Sequence, residues 1–247
     1  MIELARYLLP GVPVEHVAAA LGAAAGQELA SGKFGSPESS SALAVNGFGH
    51  FLENPGTLPP FPCLPDLDWP ALSVDVERPM RFPWAGGRHP WLDAAVETAT
   101  HLIGVESKRF EPFRDSKLAK LSPKYSSHRW DEGMERWCAM RDCLRADPAA
   151  FRHLDAAQLV KHGYGLVAEA KRRGKLPVLL YLYAEPTEGR AIPVETIADH
   201  RSEIVRFAEV VTGSTVRFAA CSWREWLTNF PPLLTAHADR VIARFHP

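Results

Sequence analysis

The sequence predicts an α/β protein with a mixed sheet flanked by helices. Three observations predict it. Residues 71–84, ALSVDVERPMRFPW, alternate apolar and polar residues, as a half-exposed strand does. Two more short strand-like runs follow closely, WLDAAVET and LIGVESKRF, so the three form an antiparallel meander. Further on, a helical apolar spacing over residues 155–173 leads into LPVLLYLY, an apolar run of the kind buried on both faces of a sheet. Strands, then a crossover helix, then another strand give a mixed sheet with helices packed on it.

The elements follow in order. Residues 13–30 are Ala-rich and read as a helix, with Pro13 at its first position and Gly32 past its end. A Ser cap near Ser39 precedes Leu43, Val45, Phe48 and Phe51, which predicts a second helix. Residues 54–70, rich in proline, must form an irregular connection, because proline breaks helix and ladder alike. The three meander strands come next, the second after Gly86-Gly87, with Thr100-His101-Leu102 turning the chain into the third. Residues 111–130 are polar and read as a long loop. Helices are predicted at about 131–145 and 155–173, where Ala156, Val160, Tyr164, Val167 and Ala170 recur on one face and Gly174 stops the second. Strand 176–183, a helix over 193–211, strand 215–223, a short helix at 223–228, a Pro231-Pro232 break and a last helix complete the chain. All 247 residues are expected to form one domain: a helical part and Pro-rich connection (1–70), a core (71–222) and C-terminal helices (223–247).

Composition narrows the function classes. No run of eighteen apolar residues exists, so no membrane helix is expected, and MIELARYLLP does not read as a signal peptide. Cys63, Cys138, Cys143 and Cys221 form no CxxC pair, which suits reduced thiols and a cytoplasmic setting. His128, His153 and His162 lack zinc-ligand spacing, and no GxxxxGK[ST], GxGxxG or GxSxG motif occurs. The net charge of −1 argues mildly against a dedicated nucleic-acid binder. Between Lys108 and Arg129, however, seven basic residues stand against two acids (Lys108, Arg109, Arg114, Lys117, Lys120, Lys124 and Arg129 against Glu111 and Asp115). Such a run can meet phosphates, with Tyr125 or Trp130 beside it for base stacking, or simply be a solvated loop.

The chemistry concentrates on two strands. Alternate side chains of a strand share a face, so Glu106 and Lys108 project together with Gly104, which leaves room there, and Ser107 points the other way. Asp93, on the preceding strand, comes near Glu106 if the two strands pair through a tight turn. Two carboxylates then meet an ammonium. Hard cations such as Mg²⁺ take such oxygen ligands together with phosphate oxygens and water. Without a cation, two adjacent carboxylates repel and one takes a proton. A plain cross-strand ion pair of Lys108 with Glu106 or Asp93 is the competing structural reading.

The order of elements and the motif pieces resemble the PD-(D/E)XK nuclease superfamily, with its restriction-endonuclease-like core. The pieces are His89-Pro90-Trp91-Leu92-Asp93, Gly104-Val105-Glu106-Ser107-Lys108 and Gln158-Leu159-Val160-Lys161-His162. The first matches loosely, since its proline stands three residues before the acid. The resemblance implies Mg²⁺ or Mn²⁺ held by Asp93, Glu106 and the Ser107 carbonyl. It also implies a helix-borne acid (Glu28 or Glu38, Glu28 favoured), Lys108 as the water-positioning group, and Gln158 as an addition from the crossover helix. It implies hydrolysis of phosphodiester bonds, most often in DNA, and is compatible with a homodimer. A non-catalytic binding module on the same fold is the alternative.

Overall fold

The computed structural model describes residues 2–24, 31–84, 88–114 and 118–247. Five strands form one sheet in the order β1-β2-β3-β4-β5: β1 (Ser73–Pro79), β2 (Trp91–Glu97), β3 (His101–Lys108), β4 (Leu176–Tyr183) and β5 (Arg217–Ser222). β1, β2 and β3 are antiparallel, whereas β3, β4 and β5 run parallel. This is the expected α/β mixed sheet.

Among the described residues the helices are α1 (Ile2–Ala5), α2 (Val14–Ala23), α3 (Ser40–Gly49), α4 (Lys124–Ser127), α5 (Glu135–Ala146), α6 (Ala156–Arg173), α7 (Val194–Val211), α8 (Trp223–Thr228) and α9 (Thr235–Phe245). They bury two separate cores. α1, α2, α3, α8 and α9 cover one face of the sheet through Val74, Val76, Ile103, Val105, Val178, Leu180 and Leu182. α5, α6 and α7 cover the other through Leu102, Leu179 and Tyr181. β4 feeds both cores with alternate residues, which is why its sequence reads as an unbroken apolar run.

Several boundaries differ from the expectation. α2 ends at Ala23 because Ala24 is already extended, and Pro13 is its N-cap; residues 25–30 lie outside those described. The turn between β2 and β3 closes one residue earlier than predicted, with the Thr98 N–H donating to the His101 carbonyl, so His101 and Leu102 belong to the strand. The 111–130 connection contains the single turn α4, whose Tyr125 enters the α6-side core. β1 stops at Pro79 instead of running on to Trp84. Its Val74 and Val76 point to the α3 side, yet Met80 and Phe82 belong to the α6 side. The crossing occurs around Glu77, which has φ +52°, a conformation uncommon outside glycine.

Candidate active site

β3 carries the centre of the site. Glu106 and Lys108 face α6, and Ser107 faces the opposite core, where its Oγ accepts a 3.1 Å hydrogen bond from Trp223 Nε1. The alternation expected from the sequence therefore holds. Gly104 lies on the Glu106 side but leaves no room for a ligand. A Cβ there would stand 2.3 Å from Leu92 Cδ1 and 3.2 Å from Leu166 Cδ1, so the missing side chain lets α6 and β2 close onto the strand.

Asp93 lies beside Glu106 for a reason of register. The β2–β3 ladder pairs Ala95 with Gly104 and Ala94 with Val105, and the next step brings Asp93 opposite Glu106. The Ser107 N–H donates to Asp93 Oδ2 at 2.7 Å. In an extended strand the carbonyl of a residue points to the same side as its N–H, so the Ser107 carbonyl also faces Asp93.

Glu106 is almost fully buried, at 2% exposure. Lys108 Nζ is 2.5 Å from its Oε1 and His162 Nε2, on α6, is 3.0 Å from its Oε2. Burial alone would raise the Glu106 pKa, but Lys108 and His162 overcome it and hold the carboxyl below its usual range. Asp93 goes the other way. Burial and the charge of Glu106 push it well above the carboxylate range, with Lys108 opposing. Burial works against the Lys108 ammonium, but Glu106 and Asp93 outweigh it and raise its pKa, so the lysine stays protonated. The pair thus shows the opposed shifts of two crowded carboxyl groups, Glu106 held down and Asp93 pushed up.

Asp93, Glu106 and Lys108 line a cleft of about 1760 Å³ between α2, the start of α3 and α6. Its acids include Glu77, which sequence reasoning missed. The β1–β2 register pairs Val76 with Ala94 and Arg78 with Leu92, so Glu77 falls opposite Asp93. Ser41 Oγ, in the first turn of α3, donates to Glu77 Oε1 at 3.1 Å. The period-two pattern Ser73-Val74-Asp75-Val76-Glu77 held the signal, but only the strand pairing ties it to Asp93. Among the described residues, no three His, Cys, Asp or Glu side chains stand close enough together to hold a metal unaided.

Basic residues surround this acidic floor: Lys33, Arg78, Arg81, Arg88, Arg172 and Arg173. A family model described as Restriction Endonuclease associating with ARP matches residues 5–245. The chain belongs to this family. No curated protein and no solved structure matches it.

The REase-ARP chain distributes the remaining sequence candidates unevenly. Gln158 lines the cleft from the first turn of α6, half-buried, one turn before His162. Glu38 also lines the cleft but is tied to Arg114 at 2.6 Å. Glu28 lies outside the described residues.

The basic run from Lys108 to Arg129 does not form one face. Arg109 is buried, donating to the carbonyls of Pro37 and Phe245. Lys117 lies outside the described residues, and only Lys108 and Arg114 of the run line the cleft. The positive rim of this REase-ARP cleft comes instead from β1, the approach to β2 and the end of α6. Tyr125 is buried and Trp130 stacks on Tyr164 with centroids 4.0 Å apart, so both belong to the core packing of the α6 side. His162, read from the sequence as part of the 158–162 motif piece and as lacking zinc-ligand spacing, is the side chain of that segment that touches Glu106.

Proposed function

We propose that this chain is a metal-dependent nuclease of the PD-(D/E)XK type that hydrolyses phosphodiester bonds in DNA. The observation that carries the reading is buried Glu106, paired with Lys108 at 2.5 Å and standing opposite half-buried Asp93, on the floor of a cleft rimmed by arginines. A nuclease needs an acidic centre for a cation and a basic surround for phosphates, and this cleft supplies both.

The donor set fits Mg²⁺ or Mn²⁺. Asp93 and Glu106 offer carboxylate oxygens, the Ser107 carbonyl faces Asp93, and all are hard ligands. Glu106 Oε1 is buried and has no aligned hydrogen bond, although Lys108 is close to it. A bound cation would supply Lewis-acid polarisation of the phosphate and a more acidic water. Lys108, paired with Glu106 on the cleft floor, stands where it can orient a water or steady phosphate charge. Lys33, Arg81 and Arg88 are exposed on the cleft rim and make no ion pair with an acid among the described residues, which leaves them for the DNA backbone.

The non-catalytic reading rests on the same ion pair, since Lys108 already neutralises Glu106. Cleavage of plasmid and single-stranded DNA with Mg²⁺ separates the two. Asp93→Asn and Lys108→Ala are expected to abolish cutting; wild-type-like cutting by either variant would sink the nuclease assignment.

A further inference from the structure

His162 is out of place as a core histidine. It is 2% exposed, and its Nδ1 has no hydrogen-bond partner, whereas buried polar atoms are nearly always paired. Its Nε2 is aimed into the cleft floor, 3.0 Å from Glu106 Oε2. That contact is close but not aligned as a hydrogen bond. Site contacts of this kind often tighten only when a site is loaded.

The helix that carries it is packed tightly against α5 and against the residues that flank β1 and β2. A Cβ on Gly163 would lie 2.6 Å from Trp137 Cζ3, and one on Gly165 would lie 2.7 Å from Pro90 Cγ and 2.8 Å from the Met80 carbonyl oxygen. The segment His162-Gly163-Tyr164-Gly165 therefore gives up two side chains to set the imidazole at a fixed depth. Tyr164, between the two glycines, is fully buried and stacked on Trp130, which fixes the helix rotation as well. A group on a packed helix is held more firmly than one on a loop.

We infer that His162 is a positioning residue: its Nε2–H holds Glu106 Oε2, so that Oε1 stays turned toward Lys108, where the cation would be received. This rests on the metal reading above and adds a second layer to it. Glu106 has two oxygens and two neighbours, Lys108 on one and His162 on the other. A cation arriving at Oε1 competes with Lys108. The contact at Oε2 is left undisturbed and keeps the carboxylate plane from rotating. Outer partners of metal ligands commonly contribute 10–100-fold to metal affinity.

The test measures Mn²⁺ binding to the full chain by electron paramagnetic resonance, without substrate. Gln places its amide nitrogen near the imidazole Nε2 position, while Asn reaches only to Nδ1. His162→Asn is expected to weaken Mn²⁺ binding about 10–100-fold and His162→Gln to restore most of it. A purely structural histidine would give equal losses in both variants, tracking thermal stability. Unchanged affinity in His162→Asn, or a His162→Gln variant as weak as it, would overturn the inference while leaving the metal reading intact. A wild-type chain that binds no Mn²⁺ would overturn both.

Discussion

Glu77 and Asp93 stand opposite each other between the paired residues Val76–Ala94 and Arg78–Leu92. Each marks a place where the strand changes sides. Val76 and Ala94 point to the α3 core, while Met80 and Leu92 point to the α6 core. The positive φ of Glu77 accomplishes the change in β1. Strain of this kind persists where the surrounding structure over-determines it, and here it accompanies two carboxyl groups on a cleft floor. Glu77→Gly is therefore expected to relieve the backbone while deleting a charge that raises the Asp93 pKa. Urea denaturation should show a change within about 0.3 kcal/mol, in contrast to the loss of about 0.5–1 kcal/mol usual for glycine in a strand. A loss well beyond that would show that the Glu77 side chain, through Ser41, dominates.

Lys108 neutralises a carboxylate that is almost wholly out of water. Removing one partner of such a pair leaves an uncompensated buried charge, which costs about 3–5 kcal/mol. Lys108→Met should fall in that range by chemical denaturation. Adding Glu106→Gln should recover a large part of it. Additive losses in the double variant would show that the two side chains do not interact.

Gly104 sets how closely β3 meets β2 and α6. Gly104→Ala is expected to destabilise by about 1–3 kcal/mol through overpacking. Shortening its neighbour in the pair Gly104→Ala, Leu92→Val should recover part of the loss. If the single variant matches wild type in its urea midpoint, the close approach has slack.

Acid sensitivity should come from two buried histidines, His200 and His237. Burial pushes His237 down to about 4, with His50 stacked on it, and His200 down to about 3, with Tyr181 Oη 2.9 Å from its Nε2. An unfolded histidine binds its proton near pH 6.5. Between those values the unfolded chain holds protons that the folded chain does not, so stability rises with pH across the window and is complete above about 6.5. For His237 the contribution lost on acidification is on the order of 3 kcal/mol. His237→Gln should flatten the pH 4–6.5 part of a stability profile; an unaltered slope would show that the residue is not the source.

Cleft-edge cations should act through phosphates. Arg88→Ala and Arg81→Ala are expected to weaken DNA binding uniformly across sequences and to lower the slope of log affinity against log salt by about 1 each. Sequence-dependent losses with an unchanged slope would place these arginines away from the backbone.

The parts that could be read from sequence are those set by local periodicity and short connections. Period two and tight turns determined the meander, and the meander determined that Asp93 meets Glu106. The parts that were hidden depend on depth and on distant pairings. Glu77 joins the floor through a register shared with another strand and a dihedral angle that no residue type announces. His162 sits in one helical turn with Gln158 and Lys161, and only the packing of α6 on the sheet shows which of them reaches Glu106. The basic run misled because charge along a chain says nothing of burial: Arg109 within it is enclosed.

Arg109 also links the site to the order in which the chain is made. It follows Lys108 directly, and its guanidinium donates to carbonyls from positions 37 and 245. On a ribosome, β3 emerges well over a hundred residues before Phe245 does. Until then a buried cation next to the Glu106-Ser107-Lys108 triplet lacks one of its two acceptors. A chain made only as far as β3 therefore carries the Glu106-Ser107-Lys108 triplet without the second anchor of the residue that follows it.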